Sequence, residues 1–152
     1  TRGTGILNSI FDGYEEYRGD CSSRFTGSLV ADRTGTGVAY ALFNLEPRGR
    51  LFIEPGDPTY EGMIIGEHNR RQDINVNPCK EKKLTNMRAA GKDDNVILSP
   101  SKPLRPEQTI SYIRDDQLVE VTPRSVRMRK AVLSAQKRHN LRSAKAKKNM
   151  AA

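Results

Sequence analysis

The sequence predicts an α+β domain made mostly of short antiparallel strands, with one or two short helices, a long basic loop and a basic C-terminal tail. Three observations lead to this prediction. The apolar runs are short and are separated by turns rich in glycine and proline, which is typical of strands in a small sheet. Pro106 followed by Glu107 favours the first turn of a helix. From Thr122 onward the chain contains no acidic residue.

The first part of the chain contains one ambiguous segment and two clearer ones. Residues Thr1–Tyr17 have apolar positions at helical spacing, but their glycines and β-favouring side chains are equally compatible with a strand. Gly27–Ala31 (GSLVA) predicts a short buried strand that ends in the turn Asp32–Gly37. Val38–Leu45 fits helix or strand, and its alanines favour a short helix that Pro47 ends.

The middle of the chain predicts three more strands and a long loop. Leu51–Ile53 is expected to be a short strand. Tyr60–Glu67 and Asp73–Val76 are expected to be strands joined by a polar turn and paired antiparallel. Lys80–Asn95 contains only two apolar anchors, Leu84 and Met87, in a very polar stretch. Such a segment between strands predicts a long exposed loop of the kind that carries function.

The third part predicts a strand, a helix and another strand. Val96–Leu98 is expected to be a strand. The helix begins at Pro106 and runs to Asp115, with Ile110 and Ile113 on its inward face. Leu118–Val121 is expected to be the strand that follows.

Ser125–Lys130 alternates apolar and basic residues. Val126 and Met128 are interleaved with Arg127 and Arg129, so this segment predicts a strand with a basic outer face. Beyond Leu133 few apolar residues recur, and the rest of the chain is expected to be a tail that becomes helical, if at all, when bound.

The basic charge is concentrated at the C-terminus. Ten of the 26 lysines and arginines, and none of the 18 acidic residues, lie from Thr122 to Ala152, so the preceding residues carry 16 basic against 18 acidic side chains. A block of one charge sign repels itself and gains energy by displacing counterions from a polyanion. Nucleic acid is therefore the first partner to consider, and a solubilising extension is the alternative.

The sequence offers no catalytic constellation. The phosphate-binding pattern GxxxxGK[ST], the nucleophile elbow GxSxG, the zinc pair HExxH and the redox pair CxxC do not occur. His68 and His139 are far apart, and His68 is expected to be a solvated surface side chain. Asp115, Asp116 and Glu120 are expected to form a solvated turn and not a metal site. Catalysis by this chain is therefore not expected.

Three further features of the sequence predict the cellular compartment of the protein and whether the chain is part of a longer one. Cys21 and Cys79 have no metal-ligand spacing, which favours two free thiols in a reduced compartment over a disulfide. Neither a secretory signal nor a membrane-spanning apolar run occurs in the sequence, so no membrane association is expected. Because the chain begins at Thr1 and not at Met, it is expected to be a fragment of a longer protein or to be processed.

Six long strings of the chain are distinctive as ordered sequences. They are TRGTGILNSIFDGYEEYRG at Thr1–Gly19, GSLVADRTG at Gly27–Gly35, YALFNLEPRGRLFIEPG at Tyr40–Gly56, YEGMIIGEH at Tyr60–His68, KKLTNMR at Lys82–Arg88 and QLVEVTPRSVRMRK at Gln117–Lys130. Together they resemble the C-terminal part of the TypA/BipA family of ribosome-binding translational GTPases. The resemblance covers roughly Thr1 to Leu133, and the tail from Ser134 lies outside it.

The resemblance implies three parts. Residues 1–20 would be the closing strand of an elongation-factor-G-like domain, residues 21–133 the family-specific C-terminal domain, and residues 134–152 a flexible basic tail. It also implies that GTP and Mg bind in a GTPase domain absent from this chain, so no cofactor is expected here. The location implied is the cytoplasm, or the plastid stroma in a photosynthetic eukaryote.

The resemblance further implies an RNA-binding module that contacts ribosomal RNA and A-site tRNA through the basic loop. An alternative is a structural or assembly domain that packs on protein, with the tail only solubilising it. If Ile6–Tyr17 is an edge strand severed from its sheet, we expect disorder, a non-native docking onto the domain or a non-native dimer through this segment. The residues expected to contact RNA are Lys80, Lys82, Lys83, Thr85, Asn86, Arg88 and Lys92 in the loop, and Arg127, Arg129 and Lys130 on the basic strand.

Overall fold

The computed structural model describes residues 6, 8, 10–17, 24–82, 97–123 and 125–150. It confirms the α+β class. The predicted loop residues Lys83, Thr85, Asn86, Arg88 and Lys92 lie outside the described residues. The elements are β1 Ser28–Ala31, β2 Gly35–Thr36, α1 Ala39–Leu45, a 3-10 turn Glu46–Arg48, β3 Gly49–Leu51, β4 Pro58–Thr59, β5 Met63–His68, β6 Ile74–Val76, α2 Pro106–Tyr112, β7 Gln117–Val121, β8 Val126–Lys130 and α3 Ala135–Met150.

Strand β5 is the centre of the main sheet. The strand order is β6-β1-β5-β8-β7, and β3 also pairs with β5. The β5 strand is antiparallel to β1, β3 and β8, and β7 and β8 form an antiparallel pair over their full lengths. A second sheet contains only β2 and β4. The β6 strand therefore forms one edge of the main sheet and β7 the other.

The central strands β1 and β5 are buried on both faces of the sheet. Because side chains alternate along a strand, Leu29 and Ala31 of β1 lie in one apolar cluster, whereas Val30 lies in the other. The first cluster includes Leu42 and Leu45 of α1, and the second includes Tyr112 of α2. This arrangement explains why every residue of β1 is buried and why its sequence shows no polar alternation.

Strand β6 does not pair with β5, so the predicted antiparallel pairing of Asp73–Val76 with Tyr60–Glu67 is wrong. It runs parallel to β1, with Leu29 opposite Ile74. Both edges of β5 are already occupied, so the chain crosses the end of β1 before it forms β6. Gly27 permits this crossing, because a Cβ at this position would lie 2.2 Å from the carbonyl oxygen of Gln72.

Helix α2 is present but its buried face differs from the prediction. Thr109 and Tyr112 are its buried residues, whereas Ile110 is 67% exposed. Ile113, which follows the helix, packs against the second cluster. The strand predicted at Val96–Leu98 is not formed at the described residues 97 and 98.

The predicted flexible tail contains a helix, α3. Its approach to the sheet is fixed at Gly62, which has φ +86°. A Cβ on Gly62 would lie 2.7 Å from the Cα of Leu133, two residues before the helix. The close approach and the positive φ both require glycine at this position. Within the described part of the chain, no helix has the length and apolarity needed to cross a membrane.

The described residues among 6–17 form no strand, although the resemblance implied one. Their apolar side chains are exposed, including Ile10 at 93% and Tyr14 at 96%. Phe11 and Tyr14 make an edge-to-face contact at a centroid distance of 5.4 Å.

Candidate nucleic-acid interface

The predicted basic loop starts beside helix α1. Lys80 and Lys82, its two described lysines, are exposed. The turn before them is fixed from both sides: Val38 N–H donates to the carbonyl of Pro78 at 2.9 Å, and Cys79 N–H donates to Asn77 Oδ1 at 2.9 Å. These bonds place Lys80 next to the start of α1. Cys79 is a free thiol.

Lys80 lies in an open cleft between α1 and the edge strand β6, which we call the β6 cleft. Its volume is about 440 Å³, and its polar lining includes Arg48, Asn75 and Asn77. A neighbouring cleft of about 480 Å³ shares Arg48 and adds Arg70. Three exposed cations therefore lie along one edge of the sheet, with two asparagine amides between them. Cations and amides of this kind bind phosphate and sugar oxygens.

Two hydrogen bonds join Asn69, which lines the neighbouring cleft, to the 3-10 turn Glu46–Arg48. Asn69 donates from its backbone N–H to the carbonyl of Arg48 at 2.9 Å and from its side chain to the carbonyl of Pro47 at 3.2 Å. The connection that carries Arg70 is thus tied to the 3-10 turn that carries Arg48. The backbone positions of Arg48 and Arg70 are therefore fixed relative to each other by the fold.

The outer face of the β7–β8 hairpin carries Arg127 and Arg129, both half-buried, as the alternation predicted. Arg127 is directly opposite Glu120 on β7. The Glu120 carboxylate accepts a hydrogen bond from Tyr60 Oη at 2.6 Å. Burial, followed by this hydrogen bond, raises the pKa of Tyr60, so its hydroxyl stays protonated at neutral pH. The face combines two arginines with a carboxylate that partly neutralises them.

Lys130 is not on that face, and its prediction as an RNA contact is wrong. Its side chain is 1% exposed, and Nζ donates to Asp73 Oδ2 at 2.5 Å and to Asp116 Oδ2 at 2.6 Å. The cause is the strand period of two, which puts position 130 on the same face as Val126 and Met128. The Lys130 ammonium neutralises carboxylates inside the protein and is not available to a phosphate.

Asp73 connects the buried lysine to helix α3. Its Oδ1 accepts from the Ser28 N–H at 2.8 Å, and its Oδ2 also accepts from Arg142 at 3.3 Å. Burial alone would raise the pKa of the Asp73 carboxyl, but the hydrogen bond and charge of Lys130, with Ser28 and Arg142, hold this pKa below its usual range. Asp73 is therefore an internal anion that joins β8, β1 and α3.

The titratable groups that the sequence set aside also have structural partners. His68 is buried, contrary to the expectation of a solvated side chain, and its Nδ1 lies 2.6 Å from the carbonyl oxygen of Gln72. Asp116 binds Lys130, and Glu120 binds Tyr60. Among the described residues, no group of three or more His, Cys, Asp or Glu side chains could hold a metal ion.

Arg48 and Arg70 were not predicted from the sequence as RNA contacts. They lie 22 positions apart, on a 3-10 turn and on the connection before β6. They reach the same sheet edge as Lys80 only because β6 pairs with β1, and the chain between β5 and β6 crosses the end of β1. A sequence signal exists only for Lys80, because it belongs to a run of polar and basic residues.

Comparison with known proteins gives the family of the chain. The family model for the TypA/BipA C-terminal domain matches residues 26–135. The chain belongs to the TypA/BipA family. Relatives named large ribosomal subunit assembly factor BipA are 48% identical over 139 residues in Buchnera aphidicola subsp. Schizaphis graminum, 48% over 130 in Synechocystis sp. and 49% over 135 in Salmonella typhimurium.

These alignments cover most of the chain but a small part of each relative. The shares of the chain are 91%, 86% and 88%, and the shares of the relatives are 23%, 22% and 22%, in the same order. The chain is thus a TypA/BipA C-terminal domain and not a catalytic domain. The matched region contains the β6 cleft and the β7–β8 hairpin, and it ends at the first residue of α3.

Proposed function

We propose that this chain is the RNA-binding module of a ribosome-associated translational GTPase of the TypA/BipA family, contacting ribosomal RNA and A-site tRNA. The contact surface consists of the basic loop that begins at Lys80, the β6 cleft and the outer face of the β7–β8 hairpin. The module binds RNA and assists the assembly of the large ribosomal subunit, the role that the names of its relatives state. It acts where ribosomes are, in the cytoplasm or in a plastid stroma.

The observation that carries this proposal is the arrangement of Arg48, Arg70 and Lys80 along one sheet edge. The part of the chain before Thr122 has slightly more acidic than basic residues, so three exposed cations on one edge are not a consequence of overall charge. The edge lies at the start of the loop predicted from the sequence, which contains Lys82, Lys83, Thr85, Asn86, Arg88 and Lys92. A cationic edge with amides and a polar loop fits an irregular RNA surface better than a uniform duplex.

The GTPase activity of the proposed parent protein is assigned to a domain other than this chain. The sequence has no GxxxxGK[ST] loop to hold phosphates, and the described residues contain no carboxylate cluster for Mg. The residues of this chain therefore do not fit GTP or Mg, and no step of hydrolysis is assigned to them. The chain supplies binding, and the cofactor belongs to another domain of the parent.

The test is binding to purified ribosomal subunits over a range of salt concentrations. The logarithm of the affinity should fall with the logarithm of salt concentration by roughly 0.7 to 0.9 per phosphate contact. Replacing Lys80, Lys82, Lys83 and Arg88 together with Ala should lower both the affinity and this slope. A matched control replaces Lys102 and Arg105, exposed cations outside the proposed surface, with Ala and should leave the slope unchanged.

Two outcomes contradict the proposal. Salt-independent association would exclude phosphate neutralisation. An unchanged RNA affinity of the loop variant, with protein partners retained, would favour the structural role in which the domain packs on protein. The contact with tRNA is tested separately, with a tRNA acceptor-stem hairpin as competitor. The hairpin should displace ribosomal subunits from the wild-type chain and should not compete for binding by the loop variant.

A further inference from the structure

Helix α3 is a second basic surface that the proposed contacts do not include. It spans 16 residues, Ala135–Met150, which corresponds to a length of about 24 Å. The family model ends at residue 135, so nearly all of the helix lies beyond the matched domain. Its sequence has no acidic residue and six basic ones: Lys137, Arg138, Arg142, Lys145, Lys147 and Lys148.

The start of α3 is fixed to the domain by polar contacts. The Ala135 N–H donates to Glu61 Oε1 at 2.8 Å, which satisfies one of the free N–H groups of the first turn. Arg138 donates to Asn75 Oδ1 at 2.7 Å and to the carbonyl of Val132 at 2.9 Å. Arg142, one turn later, reaches Asp73 at 3.3 Å. The helix therefore has a defined direction relative to the sheet.

These contacts divide the helix into two faces. Arg138 and Arg142, four residues apart, lie on the face toward β6. Gln136, Lys137 and Asn140 on the other sides are exposed. At 3.6 residues per turn, positions 143 and 147 follow 136 and 140 along the helix, and positions 144 and 148 follow 137. By helical position, residues 137, 147 and 148, which are lysines in the sequence, fall on the sides of the helix away from positions 138 and 142.

The composition of α3 selects the type of partner. The helix has only two large apolar residues, Leu141 and Met150, too few for the apolar face that inserts into a membrane surface. It has no Phe, Tyr or Trp to stack on unpaired bases. Lysines with interspersed amides and hydroxyls are the groups that bind phosphates and 2′-hydroxyls. Charge and hydrogen-bonding capacity together fit an RNA backbone.

We propose that α3 is a second RNA-binding element, which binds the sugar–phosphate backbone of an RNA duplex without reading its sequence. Asn75 lines the β6 cleft and also accepts the hydrogen bond of Arg138, so the base of α3 adjoins the cleft. The helix extends the positive edge of the sheet in a fixed direction. This inference rests on the proposed function, which it extends from the loop and the cleft to a duplex-binding helix.

The test uses the full chain and a blunt RNA hairpin duplex without unpaired bases except its loop. Replacing Lys137, Lys147 and Lys148 together with Ala should reduce the salt slope of duplex binding by roughly 2.1 to 2.7, at roughly 0.7 to 0.9 for each of three lost phosphate contacts. The matched control replaces the same three lysines with Arg, which preserves charge, and should retain the slope. Circular dichroism should show equal helix content in both variants.

The outcomes separate this inference from the proposed function. An unchanged slope for the Ala variant overturns the role of α3, and if the loop variant still loses ribosomal-subunit binding, the proposed function stands. If neither variant changes binding to subunits, both fail. Loss of affinity for an acidic polypeptide or for anionic vesicles, with duplex RNA binding unchanged, would assign the helix to a different partner and would also overturn the inference.

Discussion

At the scale of single residues, the buried Lys130 is the side chain on which the most interactions depend. Replacing Lys130 with Ala leaves the Asp73 carboxylate buried without its closest cation. Removing one partner of a buried ion pair costs about 3–5 kcal/mol, so we expect this loss in the free energy of unfolding, measured by urea denaturation. The control is Arg129→Ala on the half-buried opposite face, which should cost much less. Equal midpoints for the two variants would show that the pair is not stabilising.

The lowered pKa of Asp73 predicts a pH dependence with a definite sign. A carboxyl whose pKa is lower in the folded state binds fewer protons there than in the unfolded chain. Its contribution to stability is complete above the unfolded pKa, near 3.9 for aspartate, and is lost as the pH falls through the lower folded value. We expect Asp73→Asn to flatten the acid limb of the stability curve. An identical acid limb in wild type and variant would contradict this assignment.

Gly62 predicts a difference between two glycines that share a backbone conformation. Gly62 and Gly56 have φ of +86° and +96°, but only Gly62 has a neighbour, Leu133, within 4 Å of the Cβ position. Gly56→Ala should therefore cost only the strain of positive φ, of order 1–3 kcal/mol. Gly62→Ala should cost more and should loosen the start of α3. Thermal denaturation of both variants measures the difference, and a larger loss at Gly56 would exclude the contact with Leu133 as the cause.

At the scale of elements, local sequence predicted the strands better than their partners. The β1 strand, the short α1 and the alternating β8 follow from local apolar patterns, and the structure confirms them. The parallel pairing of β6 with β1 does not, because it depends on both edges of β5 being occupied by strands distant in sequence. The same limit applies to the β6 cleft, since Arg48 and Arg70 reach Lys80 only through this topology.

Two errors in the sequence prediction have different origins. Lys130 could have been placed correctly from the sequence, because the alternation that puts Arg127 and Arg129 outward puts position 130 on the face of Met128. The helix at residues 135–150 could not, because a basic segment of this length is a marginal helix by itself. Its contacts to Glu61, Asn75 and Asp73 come from distant parts of the chain.

At the scale of the whole molecule, the positive charge of the β6 cleft and α3 and the most exposed apolar side chains lie in different segments of the chain. The β6 cleft and α3 adjoin at one sheet edge through Asn75, whereas the N-terminal residues carry large exposed apolar side chains. Polyanion binding and apolar association are therefore distinguishable in solution, since salt weakens the first and does not weaken the second. This difference allows RNA binding and self-association of the same chain to be measured independently.

The exposed N-terminal segment predicts self-association of the isolated chain. Ile6, Ile10, Phe11 and Tyr14 are at least 75% exposed, so the described residues do not show the segment docked on the domain. Exposed apolar side chains on a segment with strand-forming residues favour pairing with a second copy. We expect light scattering to show a concentration-dependent dimer that persists at high salt, and a monomer after removal of residues 1–19.

The matched control, Ile10→Asp with Phe11→Asp in the full chain, should also be monomeric because it removes the apolar contacts while keeping the length. A mass that neither change alters would assign any dimer to another surface, and a monomeric wild-type chain at all concentrations would contradict the prediction itself.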